Sequence, residues 1–206
     1  MSRYTEASCR LCRRESQKLY LKGDKCFTKC TFEKRPSPPG AQRRTRRPSE
    51  YGTQLREKQK AKRFYGVGEK QFRNYFAIAT RVRGVTGETL MILLERRLDN
   101  VVYRAGFAHS RKEARQFVNH GHIEINGRKV DIPSFLVSPG DVVAVRPRAL
   151  KSDKFKAMAE GLQGHNVPAW MSLDAQNWKC TILRLPERDE VDAPVDERLI
   201  VELYSK

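Results

Sequence analysis

One stretch of this chain leaves its backbone little freedom. Ser110-Arg111-Lys112-Glu113 is a capping box, in which the Ser and Glu side chains accept hydrogen bonds from backbone N–H groups that a helix's first turn leaves unpaired. The helix it opens runs to His120, and Gly121 stops it. Ile123-Glu124-Ile125 then alternates as a strand. Asn126-Gly127 is a strong hairpin signal, and Lys129-Val130-Asp131-Ile132 returns. A second turn, Ser138-Pro139-Gly140-Asp141, leads into the strand Val142–Val145. Residues 98–146 are therefore expected to form helix, helix, then antiparallel strands.

The flanks are mostly helical. Ser49 caps a helix through Leu55, Gln59 and Phe64 to Gly66, with Arg56, Lys58, Lys60, Lys62 and Arg63 on its exposed faces. Phe72, Tyr75, Phe76, Ala79 and Val82 mark a second helix, also carrying Arg73, which Gly84 ends. Thr86 caps a third, carrying Leu90, Leu93, Leu94, Leu98, Val101 and Val102 up to Gly106. Beyond the strands, Met171–Leu173 and Lys179–Leu185 read as further strands. Asp196 caps a closing helix with Leu199, Ile200, Leu203 and Tyr204 on one stripe. The expected class is α+β, in three parts: residues 1–48, a metal module and basic arm; residues 49–97, a helical domain completed by 195–206; and residues 98–194, helices with a small antiparallel sheet.

Charge narrows the partners. Across 206 residues, 41 Lys+Arg oppose 24 Asp+Glu, a net +17. That surplus points to a polyanion, either nucleic acid or an acidic membrane. Residues 1–50 carry +9, 51–100 carry +6, 101–150 carry +4, and the remainder −2. The basic residues lie in several helices and in loops, unlike the single basic face of an amphipathic membrane helix. No apolar run reaches the roughly 18–20 residues that span a bilayer. The first residues carry no apolar signal region, so a reducing cytoplasm is expected.

Cys9, Cys12, Cys26 and Cys30 form C-x2-C-x13-C-x3-C. Two thiolate pairs across such a loop supply four soft ligands to one ion, so a structural Zn2+ site is expected. A [4Fe–4S] cluster takes the same four ligands and stays open as an alternative. Cys180 stands apart and reads as a small buried hydrophobe. Residues 36–48 hold four prolines and Arg43, Arg44, Arg46 and Arg47, composing either a solvated linker or an arm that orders on nucleic acid.

The capping-box helix also carries chemistry. Arg111 and Arg115 share one of its faces, with Arg104, Ser110, Lys112, Asn119, His120 and His122 nearby in sequence. A basic face beside a helix N-terminus suits phosphate, through side-chain charge and unpaired N–H groups together. No nucleophile elbow, phosphate-binding loop or open metal site is visible, and the chain reads as no enzyme. Residues 98–146 could equally anchor an RNA-modifying enzyme, and a metal finger could serve a DNA-binding regulator.

Several segments, taken together, closely resemble the bacterial small-subunit ribosomal protein four family. They include Arg96-Arg97-Leu98-Asp99-Asn100-Val101-Val102-Tyr103-Arg104-Ala105-Gly106-Phe107, Ser110–Gln116, His120-Gly121-His122-Ile123 and Asn126-Gly127. Leu55–Lys60, Tyr65-Gly66, Gln71–Tyr75 and Val201–Lys206 extend the likeness along the whole chain. The resemblance implies a zinc-bearing module, a helical domain closed by the last helix, and an inserted RNA-binding domain. It implies early binding to the five-prime domain of small-subunit (16S) ribosomal RNA, assembly of the subunit body, and no need for a homo-oligomer. It further implies a neighbour in ribosomal protein five, a part in decoding accuracy, and an arm along the messenger entry path. Some members repress their own messenger. One departure stands out: Ala41-Gln42-Arg43 follows Pro39-Gly40 where many relatives have Gln-His-Gly. Many relatives also lack the four cysteines.

Overall fold

The computed structural model describes residues 4–40 and 47–205. In chain order the helices are α1 (Cys9–Glu15), α2 (Lys25–Thr28), α3 (Thr31–Lys34), α4 (Glu50–Tyr65), α5 (Glu69–Ala79), α6 (Thr86–Glu95), α7 (Leu98–Arg104), α8 (Arg111–Asn119), α9 (Pro147–Leu150), α10 (Asp153–Gln163) and α11 (Glu197–Tyr204). The strands are β1 (Ile123–Ile125), β2 (Arg128–Lys129), β3 (Val142–Val145), β4 (Met171–Asp174) and β5 (Lys179–Ile182). The chain divides into two compact units. One takes the residues up to Met91 and from Asp192 onward, and the other takes Ile92–Val191.

In the discontinuous unit, α4 is the axis. Ser49 Oγ accepts the Gly52 N–H at 3.2 Å, and Gly66 closes the helix in the left-handed region. The expected cap and stop are both present. α11 packs along α4 although it lies far along the sequence. Gln54 Nε2 donates to Glu202 Oε2 at 3.1 Å, and Glu57 Oε2 accepts the Asp196 N–H at 3.1 Å. Tyr204 stacks on Phe76 of α5 with ring centroids 4.4 Å apart. The apolar stripe of α11 thus has a face to cover.

The contiguous unit holds one sheet in the order β2-β1-β3-β5-β4, antiparallel throughout. Ile123 pairs with Val145, Ile125 with Val143, and Val143 in turn with Cys180. Strand periodicity of two sends these five side chains to one face, where they are buried with Val101, Val102, Phe107, Phe117, Phe155 and Trp178. Phe155 sits 4.8 Å from Phe117 and 5.6 Å from Trp178, centroid to centroid. Each such ring contributes about 1.5–3 kcal/mol by leaving water. The α+β class and the helix–helix–strand order are as the sequence implies.

Four expectations need correction. The second helix ends at Ala79, short of Val82 and Gly84, and the strand from Lys179 ends at Ile182 rather than Leu185. The third helix does not run unbroken to Val102: it ends at Glu95, and α7 restarts at Leu98. Arg97 between them is extended, at φ −64° and ψ 136°, and bridges to Leu136. The Leu98 and Asp99 N–H groups donate to Phe135 and Pro133 carbonyls at 2.8 and 3.2 Å. Pairing with a returning segment thus replaces one helical turn. The hairpin's return strand is also shorter than Lys129–Ile132: Arg128 and Lys129 pair in register, the Val130 N–H still reaches the Ile123 carbonyl at 3.2 Å, and Pro133 then turns the chain away. The turn itself has Asn126 at φ 50° and Gly127 at φ 76°, the positive pair a tight hairpin requires.

Candidate nucleic-acid interface

The basic side chains of α7 and α8 are set on an internal polar frame. Ser110 Oγ accepts the Glu113 N–H at 3.3 Å, while Glu113 Oε2 accepts the His109 N–H at 2.8 Å, one residue ahead of the cap. Behind α8 lie four buried polar residues, Glu95, Arg97, Asp99 and Asn100. Asp99 accepts from Arg97 Nε and Nη2 at 3.0 and 2.6 Å and from Arg115 Nη1 at 2.9 Å. Glu95 receives a two-pronged bond from Arg104, at 3.1 and 2.9 Å, and one from Asn100 Nδ2 at 2.6 Å. Asn100 Oδ1 accepts from Arg111 Nε at 2.8 Å, and the Arg111 guanidinium lies 4.4 Å from the Tyr103 ring centroid.

Three of the expected RNA-binding arginines, Arg104, Arg111 and Arg115, therefore have inward partners and defined orientations. The four residues beneath them are not expected, as a group, from the sequence pattern. Their signal was present as a run of charge, Glu95-Arg96-Arg97 and Asp99-Asn100, set into an apolar helical pattern. Such a run at core spacing demands mutual pairing, because an unpaired buried charge is costly.

Lys112, Asn119 and His120 are exposed on α8 and its end. The His120 and His122 rings lie 5.8 Å apart, and His122 also meets the edges of Phe117 and Phe155. Arg146 joins this corner: its N–H donates to the His122 carbonyl at 2.8 Å, and its Nη1 to the Gly121 carbonyl at 3.3 Å. Burial, followed by the charges of His120 and Arg146, holds His122 below the usual imidazole range. Arg146 was not among the expected residues; it follows the strand directly, where a basic side chain leaves the sheet end.

The α4 cations differ from expectation. They are half-buried rather than standing on exposed faces. Arg63 and Arg56 pair with Glu15, Lys60 with Glu57 at 2.5 Å, and Lys58 and Lys62 with the two oxygens of Glu69 at 2.7 and 2.5 Å. Much of the local positive charge is thus neutralised within the protein. Arg73 and Arg47 are exposed. Arg43, Arg44 and Arg46 lie outside the described residues.

Cys12, Cys26 and Cys30 are buried, Cys9 is half-buried, and none of the four is in a disulfide. Burial raises the Cys12 thiol, and Cys26, Cys9 and Cys30 raise it further while a bond from the Leu19 amide lowers it. The four thiols thus share one neighbourhood, and the Lys22 N–H donates to Cys26 Sγ at 3.3 Å. Among the described residues, no group of three or more His, Cys, Asp or Glu side chains is placed so as to hold a metal ion. Thiol sulfurs are the donor type zinc takes, and the Leu19 and Lys22 amides turn toward two of them, but the four are not arranged here around one ion. Cys180 is fully buried in β5, and burial pushes its thiol up to about 12, so it behaves as the expected small hydrophobe.

Comparison with known proteins agrees with this layout. Residues 3–95 match the ribosomal protein S4/S9 N-terminal domain, and residues 96–143 match the S4 domain. The chain is 60% identical over 208 residues to small ribosomal subunit protein uS4A of Symbiobacterium thermophilum, covering all of both chains. The chain belongs to the uS4 family. Over the full length of each chain, identity is 57% to the uS4 protein of Syntrophomonas wolfei and 52% to that of Thermus thermophilus. The uS4 boundary between the two matched regions falls at residues 95 and 96, where α6 gives way to extended Arg97. No described helix is long and apolar enough to cross a membrane.

Proposed function

We propose that this chain is a structural, non-enzymatic constituent of the small ribosomal subunit that binds 16S ribosomal RNA directly. The observation that carries this reading is the match of both family regions in sequence, at high identity from end to end. Physically, the oriented arginines of α7 and α8 and the corner of Lys112, Asn119, His120, His122 and Arg146 suit a fixed array of phosphates better than base edges. Such a surface binds RNA tightly only when the RNA is folded, so it shifts the RNA toward that fold and promotes assembly of the body.

Finer assignments follow from the family resemblance. Residues 1–48 act as metal module and arm, with Cys9, Cys12, Cys26 and Cys30 holding Zn2+, or a [4Fe–4S] cluster in the alternative. Such a group supplies cross-linking of the module and no reaction. Residues 49–97 with 195–206 act as the helical domain, and 98–194 as the RNA-binding domain. Arg43, Arg44, Arg46 and Arg47 serve the messenger entry path, ribosomal protein five is a neighbour, and the protein contributes to decoding accuracy in the cytoplasm.

The deciding experiment compares binding to the five-prime domain of small-subunit RNA with binding to an unrelated structured RNA of equal length. Strong preference for the former and retention on small subunits through a high-salt wash are expected. Equal affinity for the two RNAs sinks the proposal. Elemental analysis of the same protein separates zinc from iron, and absence of both overturns the metal assignment.

A further inference from the structure

Two aromatic side chains near the N-terminus stand outside any core. Phe27 is 71% exposed and Tyr20 38%, yet their rings are stacked, with centroids 5.0 Å apart and planes 27° from parallel. Leu19 and Leu21 on either side of Tyr20 are buried, as is Cys26 beside Phe27, so the backbone is anchored where the rings emerge. Tyr20 holds φ at +49°, a left-handed conformation that bulky side chains rarely adopt. Strain of this kind persists where the surroundings impose it, and it is concentrated at ligand sites. Lys22, Lys25 and Lys29 are exposed in the same segment, and none is ion-paired among the described residues.

We propose that Tyr20 and Phe27 form a stacking platform for an unpaired base of single-stranded RNA, with Lys22, Lys25 and Lys29 drawing in the flanking phosphates. This rests on the reading of the chain as an RNA binder and adds to it a site that tolerates any base, because every base has a π face. Charge selects the occupant. Ammonium groups bracketing bare rings complement a polyanion with flat bases, whereas a protein-docking face is depleted of lysine at its centre.

The full-length protein carrying Phe27→Ala, Phe27→Leu or Phe27→Trp is titrated with the five-prime ribosomal fragment and, separately, with oligoadenylate. Loss of one stacked base weakens binding about 5- to 150-fold, so that loss is expected for Ala and, in large part, for Leu. The salt dependence is expected to stay unchanged. Phe27→Trp keeps the affinity, and its emission, taken as the difference from wild type with its buried Trp170 and Trp178, is quenched by both RNAs. Wild-type affinity in the Ala and Leu variants overturns the platform, as does an unquenched Trp. Unchanged RNA affinity with lost retention on small subunits overturns it in favour of a protein neighbour. Quenching by oligoadenylate without preference for the ribosomal fragment supports the platform while sinking the proposed ribosomal role.

Discussion

Asp99 carries more than its size suggests. Buried Arg97 and half-buried Arg115 both donate to it, so its removal leaves Arg97 without its carboxylate inside the unit. Asp99→Ala should destabilise the protein by about 3–5 kcal/mol, read by denaturant unfolding. Lys112 is exposed on α8. Lys112→Ala should leave the unfolding midpoint in place and lower RNA affinity while reducing its dependence on log salt by roughly one phosphate's worth. The two variants separate frame from surface. At this scale the sequence was partly legible: Ser110, Arg111 and Arg115 could be placed on one helix from spacing alone. The inward partners of Arg111 and Arg115 could not, because Asn100 and Asp99 reach them only after the helix breaks at Arg97.

Between elements, the clearest lesson is how α4 holds its neighbours. Glu69 at the start of α5 receives Lys58 and Lys62, one on each oxygen. Partial burial works to raise its pKa, but the bonds and charges of the two lysines outweigh burial and hold it below the ordinary 4.5. A depressed carboxylate stabilises the fold above its unfolded pKa, and that contribution fades as pH falls through the folded value. Stability should therefore decline on acidification below pH 4.5, and Glu69→Gln should remove this part of the slope. With the carboxylate half exposed, the effect is under about 1 kcal/mol. Ser110→Ala, which removes the α8 cap, should cost about 1 kcal/mol, read as a lower thermal midpoint. Caps, glycine stops and the Asn-Gly turn were readable because they are local. The break at Arg97 and the pairing of α4's Arg56 and Arg63 with Glu15 were not, since each depends on a segment distant in sequence.

For the whole molecule, the count of basic residues overstates the binding surface. The 41 Lys+Arg include Arg56, Lys58, Lys60, Lys62 and Arg63, whose charges are met by Glu15, Glu57 and Glu69. The slope of RNA affinity against salt should therefore fall well short of one phosphate per basic residue, checked by binding titrations across ionic strength.

The split of one unit across the sequence sets a timetable for synthesis. The helix that covers α4 leaves a translating ribosome after Ile92–Val191, which is contiguous and emerges complete before it. About 100 residues separate the two halves of the first unit, an interval of roughly 5–20 s at ordinary elongation rates. During that interval α4 shows its uncovered face to chaperones and proteases. The contiguous unit is by then free to fold and engage its ligand, so a nascent chain gains its sheet-bearing half first and seals its helical half afterwards.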